Sequence, residues 1–235
     1  MCDTCGCGDT EIVPIEVQEQ ILAGNNARAK HNRDHFLERG VLAVNLMGSP
    51  GSGKTAILEA TSCEMRNAKL GALAGDLETD RDARRLEAAG IRSSSITTGS
   101  ACHLDAKLVH HALHDLEWSD IDTLFIENVG NLVCPAIYDL GEARNVVALS
   151  VTEGEDKPLK YPVMFHKADL VLISKVDLIP YLPGFDLATL EDNLARVMPR
   201  NEIIRVSSVT GQGVSQWIEW LESARVPSRP VEVEA

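Results

Sequence analysis

Gly48-Ser49-Pro50-Gly51-Ser52-Gly53-Lys54-Thr55 follows the apolar run VLAVNLM (41–47) and opens a stretch of helical spacing over 54–67. Strand, Gly-rich turn and helix in that order bring backbone N–H groups and a helix N-terminus to one point, a cradle for phosphate. Gly48, Gly51 and Gly53 let the backbone approach the phosphates, with Ser49 and Ser52 inside the loop. Lys54 is placed to reach the β- and γ-phosphates, and the Thr55 hydroxyl to bind Mg²⁺. The alternative is a chance Gly-rich turn, which the flanking strand and helix disfavour.

Outward from this loop the same alternation continues. Short apolar runs recur at LGALAG (70–75), IRSSSIT (91–97), IDTLFIEN (121–128), NVVALSV (145–151), ADLVLIS (168–174) and EIIRVSS (202–208). Helical candidates lie between most of them, at 80–89, 104–117, 186–198 and 213–224. Alternating strands and helices predict an α/β fold, a mainly parallel β-sheet flanked by helices on both faces, of the P-loop NTPase kind. Residues 1–13 read as a Cys-rich leader and 14–39 as an N-terminal helical segment ended by Gly40. An intermittent apolar face there comprises Ile15, Ile21, Leu22, Phe36 and Leu37. Residues 40–225 form the nucleotide-binding domain, and 226–235 a loose Pro-rich tail.

Further loops carry nucleotide chemistry. Glu127-Asn128-Val129-Gly130 ends a strand and resembles the D-x-x-G element of GTPases. Glu127 would hold Mg²⁺, and the Gly130 N–H would meet the γ-phosphate; the bland reading is an acid capping a turn. Asp76 ends another strand and heads an acidic loop with Glu78, Asp80 and Asp82. Asp76 is the candidate Mg²⁺ ligand or water-positioning group, and Asp80 the helix cap. Ser174-Lys175-Val176-Asp177 resembles the N-K-x-D base-reading element, with Ser174 in place of Asn. Asp177 would accept from guanine N1–H and the exocyclic amine, a donor pair that adenine lacks. The Lys175 stem would pack on the base, and Ser207-Ser208 would back it with backbone amides. GTP is therefore expected over ATP. Lys157, in EGEDKPLKY, is a candidate cation donated across a dimer, with a solvated loop lysine as the alternative.

The cysteines suggest metal. Cys2, Cys5 and Cys7 form C-x-x-C-G-C, three thiolates able to wrap one ion, with the Cys2 amine as a fourth ligand if Met1 is removed. Such a set suits planar Ni²⁺ or tetrahedral Zn²⁺. Cys102-His103 at a strand-to-helix junction and Cys134 beyond Gly130 make two or three ligands, too few for a closed structural site, so a second subunit would complete it. Cys134 lies four residues beyond Gly130, so γ-phosphate loss would move it. Cys63 reads as packing. His110 and His114 read as surface residues opposite a stripe of Leu104, Leu108, Ala112 and Leu116. His31, His35 and His166 show no partner in the sequence.

Composition narrows the field. The 235 residues are 44% hydrophobic and 24% charged, ordinary for a folded soluble domain. A formal charge of −13 repels a phosphate backbone, so no nucleic-acid partner is expected. No apolar run is long enough to span a bilayer, and MCDTCGCGDTE lacks the features of a secretory signal, so a cytoplasmic protein with no membrane partner is expected.

Taken together, the leader, phosphate loop, ENVGN, GSACHLD, NLVCP, EGEDKPLKYP and SKVDL resemble the HypB family of hydrogenase nickel-incorporation GTPases, across almost the whole chain. The resemblance implies a GTPase of the signal-recognition-particle/MinD-type class that forms a homodimer when GTP-bound. It implies Ni²⁺ delivery to the large subunit of [NiFe]-hydrogenase, alongside companion nickel metallochaperones. Family roles fall on Cys2, Cys5 and Cys7 as a tight nickel site. They fall on Cys102, His103 and Cys134 as a second Ni²⁺/Zn²⁺ site at the dimer interface. Residues 8–30 contain no His, so the nickel-storage tract of some members is absent. The motif loops show no obvious Gln or Arg finger, which implies slow turnover. The competing readings are a urease-type nickel GTPase, a P-loop metabolite kinase and a metal-binding module whose nucleotide only tunes affinity.

Overall fold

The strand that feeds the phosphate loop, β1 (Leu42–Gly48), is buried at every position, as expected of a central strand with helices on both faces. A computed structural model describes residues 15–76, 79–99 and 101–225. The leader with Cys2, Cys5 and Cys7, Glu78 of the acidic loop, and the 226–235 tail lie outside the described residues.

In chain order the elements are α1 (Ile15–Glu38), β1, α2 (Lys54–Glu64), β2 (Leu70–Asp76), α3 (Arg81–Ala88), β3 (Arg92–Thr97), α4 (Ala106–Asp115), β4 (Thr123–Glu127) and β5 (Arg144–Ser150). They continue with α5 (Lys157–Lys160), α6 (Pro162–Lys167), β6 (Leu170–Ser174), α7 (Leu187–Val197), β7 (Ile203–Arg205) and α8 (Val214–Ala224). The seven strands form one sheet in the order β3-β2-β4-β1-β5-β6-β7, and every pairing is parallel. One face packs on α2, α3 and α8 through Leu58, Leu86, Trp217 and Leu221. The other packs on α1 and α4 through Phe36, Val109 and Leu113, and on α6 and α7 through Phe165, Leu190 and Leu194. Among the described residues no helix is long and apolar enough to cross a membrane.

All seven expected strands are present, with β7 ending at Arg205 while Val206–Ser208 continue as loop. Two short helices, α5 and α6, occupy a region with no expected helix. Each has Pro in its first turn, where the missing N–H costs nothing. The N-terminal helix forms but does not dock by its expected apolar face. Ile21 and Leu37 are exposed, and Phe36 is the deeply buried member. The helix is held by polar contacts instead: Asn32 Nδ2 donates to the Ala106 and Leu140 carbonyls at 2.9 and 3.1 Å, and Asn25 Oδ1 accepts from the Ala106 N–H at 2.9 Å. Gly40, at φ 66°, ends it in the left-handed conformation. Cys63 is exposed and does not pack, since it follows the last inward turn of α2. Asp80 occupies the α3 N-cap position without a side-chain capping bond; its carboxylate pairs forward with Arg84 at 2.7 Å.

Candidate nucleotide and metal site

The site sits at the carboxyl ends of β1, β2, β4 and β6, where a parallel sheet presents its loops. In the phosphate loop, Gly51 and Gly53 adopt φ 74° and 94°, a turn that side chains with a Cβ resist. Lys54 is buried, and its ammonium donates to the Gly48 and Ser49 carbonyls at 3.4 and 3.3 Å. Burial pulls its pKa below the ordinary lysine value, against the attraction of Glu127, Asp82 and Glu153. The Ser52 hydroxyl is buried in the loop with no protein hydrogen bond.

Thr55 and Glu127, both candidate Mg²⁺ ligands in the sequence, meet in the structure. The Thr55 hydroxyl donates to Glu127 Oε1 at 2.7 Å, while Glu127 Oε2 is buried and unpaired. Desolvation pushes the Glu127 carboxyl up to about 7, opposed by Thr55 and Lys54. A buried carboxylate oxygen without a donor, beside a hydroxyl and a phosphate loop, is what a hard divalent cation requires. Both residues therefore fit Mg²⁺. Gly130 lies against the loop: a Cβ there would stand 2.8 Å from Pro50 N. Asp76 is half-buried at the end of β2, and its carboxylate accepts from the Thr79 hydroxyl.

The base-reading loop grips the phosphate loop from the other side. Lys175, at φ 60°, donates through Nζ to the Gly51 carbonyl at 2.6 Å. The Ser174 hydroxyl donates to the Ser52 carbonyl at 2.5 Å, so the shorter side chain still ties the two loops together. Asp177 is half-buried just beyond. Ser207 is buried, its Oγ accepting from the Thr210 N–H at 3.1 Å, with Ser208 half-buried next to it. Lys157 heads α5 rather than lying in an open loop, and its ammonium stands 5.4 Å from the centre of the Tyr161 ring.

The ligand atoms of Cys102, His103 and Cys134 all lie within 4.8 Å of one another. The two sulfurs are 3.0 Å apart, and His103 Nδ1 is 3.8 Å from Cys102 Sγ. Burial holds the His103 pKa below its ordinary value, which favours the neutral, ligating imidazole. The ring stacks on Tyr138 at 4.0 Å and 18°.

A polar network joins this cluster to the phosphate loop. Asn131 pairs with Gly48 as an isolated antiparallel bridge, its N–H donating to the Gly48 carbonyl at 3.1 Å. The Asn131 amide donates to the Cys102 carbonyl at 3.3 Å. Asn128 Oδ1 accepts from the Leu104 and Val129 N–H groups at 3.3 and 3.0 Å, and its amide donates to the buried Asn45 at 3.1 Å. The sequence does not single out these asparagines or Tyr138, nor Arg85 and Glu153, which together with Asp82 of the acidic loop act on the site electrostatically. Asn128 and Asn131 stand inside ENVGN, whose second and fifth positions were the available signal.

Fold and site define a P-loop nucleotide-binding protein with a Cys/His cluster able to hold a metal ion beside its phosphate loop. The nucleotide-binding domain described as CobW/HypB/UreG matches residues 42–205. The chain is 50% identical over 212 residues to the hydrogenase maturation factor HypB of Rhizobium leguminosarum bv. viciae, an alignment covering 88% of this chain and 70% of that one. It is similar to the crystal structure of HypB from Archaeoglobus fulgidus, with a TM-score of 0.81 and 42% identity over 87% of this chain and 100% of that one. It is equally similar to HypB from Helicobacter pylori in complex with nickel, with a TM-score of 0.81 and 39% identity over 90% and 100% of the two chains. The chain belongs to the HypB branch of the CobW/HypB/UreG family.

Proposed function

We propose that the protein is a GTP-hydrolysing nickel metallochaperone that delivers Ni²⁺ during [NiFe]-hydrogenase maturation, with metal release gated by hydrolysis and dimerisation. The observation that carries the reading is Asn131, which contacts the first residue of the phosphate loop and the backbone of a metal ligand. A loop that senses the γ-phosphate through Gly130 also holds the cluster, so loss of that phosphate alters the frame on which the metal sits.

Guanine is read by Asp177 and Lys175, and the phosphates are cradled by Gly48–Thr55. Thr55 and Glu127 would hold Mg²⁺, which would supply positive charge to the phosphates when bound. Hydrolysis breaks the bond between the γ-phosphorus and the β–γ bridging oxygen as water attacks, yielding GDP and phosphate. The protein contributes position and charge, with Lys54 at the phosphates and Asp76 beside the attacking water. Ni²⁺ is cargo at Cys102, His103 and Cys134, and Zn²⁺ is an alternative occupant. Val133 and Ile137, 52% and 46% exposed on either side of Cys134, support a homodimer that closes over the cluster. Lys157 reaches the partner's nucleotide in that dimer, and Cys2, Cys5 and Cys7 form the tighter nickel site. The hydrogenase large subunit and companion metallochaperones receive or supply the ion.

The test is transfer of Ni²⁺ from loaded protein to a competing chelator. GTP accelerates release, while a non-hydrolysable analogue and the Lys54→Ala variant do not. Equal release rates in all three would sink the gating, and transfer of the phosphoryl group to a small acceptor would favour a kinase.

A further inference from the structure

His31 and His35, which the sequence leaves unpartnered, converge in the structure with His110 and His114. His31 and His35 lie one turn apart on α1, with their Nε2 atoms 3.1 Å apart. His110 and His114 lie one turn apart on α4, with Nε2 atoms 3.4 Å apart. His110 faces the α1 pair, its ring 5.1 Å from that of His31 and 6.5 Å from that of His35.

We propose that His31, His35, His110 and His114 form an additional metal site, separate from the cysteine sites, for a divalent ion of the kind imidazole prefers, such as Ni²⁺ or Zn²⁺. The bite of each pair fits. Two nitrogens about 2.1 Å from one ion stand about 3.0 Å apart at a right angle and about 3.4 Å apart in a tetrahedron. Paired histidines at i and i+4 on one helix face are a recurrent metal-chelating arrangement.

The frame is rigid. Ala106, at the start of α4, is bonded through both its N–H and its carbonyl to Asn25 and Asn32 of α1. A chelate built across two such helices needs only side-chain rotation at half-exposed His110 to bring a third nitrogen onto the ion. Glu38 lies 4.0 Å from His35 Nδ1, an outer carboxylate that favours a proton on Nδ1 and leaves Nε2 for the metal. Lys30 is held by Asp34 at 2.7 Å, whereas the Arg28 guanidinium acts on His110 and disfavours a further positive charge there. His31 and His114 are exposed, so the site is open to solvent and exchanges its ion readily. The α4 helix that carries His110 and His114 begins three residues beyond His103.

The experiment counts bound Zn²⁺ by equilibrium dialysis of the reduced full chain and of its His31→Ala/His110→Ala variant. The variant binds one equivalent less and hydrolyses GTP at the parental rate. In a chain also carrying Ala at Cys2, Cys5, Cys7, Cys102 and Cys134, one equivalent remains, and Zn²⁺ shifts the imidazole nitrogen resonances of these histidines. Adding His31→Ala/His110→Ala there weakens it about 100-fold, the advantage of a chelate over separate imidazoles. Unchanged stoichiometry in the first variant, or no residual equivalent in the cysteine-free chain, would overturn the assignment.

Discussion

Asn131 is bonded to Cys102 by its side chain, at 3.3 Å, while its own backbone is bonded to the phosphate loop. The candidate metal ligand and the phosphate loop are thus one residue apart in the bonding pattern. Replacing Asn131 by Ala removes the side-chain bond and keeps the backbone bridge. The variant is expected to bind GTP and metal within a few-fold of the parent. The change in metal affinity between nucleotide states, expected at roughly 5- to 150-fold for an ordinary coupling, should shrink toward unity. Paired metal titrations in GDP and in a GTP analogue check this.

Glu127 makes the metal-free protein sensitive to pH. Its carboxyl is raised from 4.5 to about 7 by burial. The folded state therefore holds a proton that the unfolded chain releases, and stability falls as pH rises from about 4.5 to about 7. That displacement corresponds to about 3 kcal/mol. Glu127→Gln should be more stable than the parent by up to that amount at pH 8 in chelator, with no advantage below pH 4.5. Urea melts at the two pH values measure it, and the same variant should lose hydrolysis.

Base selectivity should rest on Asp177. Asp177→Ala leaves the phosphate loop and its contacts with Ser174 and Lys175 in place. Affinity for GTP should fall while affinity for ATP holds, and the GTP-over-ATP preference should drop by about 100-fold or more. Competition with a fluorescent guanine nucleotide reports it.

Much of the architecture is legible in the chain. Parallel strands covered on both faces must be largely apolar, and β1, β4 and β6 are buried at every residue. Their ends are marked by the loops that carry the chemistry. The phosphate loop, Thr55 and Glu127 could be placed because each motif has a fixed spacing from a strand end. The docking of α1 could not, since Asn25 and Asn32 bind carbonyls and N–H groups that leave no apolar period. The role of Asn131 was hidden for the same reason. The histidine cluster joins residues 31 and 110, and only the packing of α1 on α4 brings them together.

Thiol chemistry separates the cluster from the surface. Cys134 is buried and Cys102 half-buried, whereas Cys63 is exposed. Ni²⁺ or Zn²⁺ should protect Cys102 and Cys134 from alkylation while Cys63 reacts at the same rate with or without metal. Mass spectrometry of the alkylated peptides gives the three rates at once.

The most direct test is the Ni²⁺ affinity of the Cys102/His103/Cys134 site itself. It is measured in anaerobic, reduced protein carrying Ala at Cys2, Cys5 and Cys7, first with GDP and then with a non-hydrolysable GTP analogue. The account predicts affinities that differ at least about 5-fold between the two nucleotides, with the difference abolished by Cys102→Ala/Cys134→Ala. Identical affinities in both nucleotide states would contradict it.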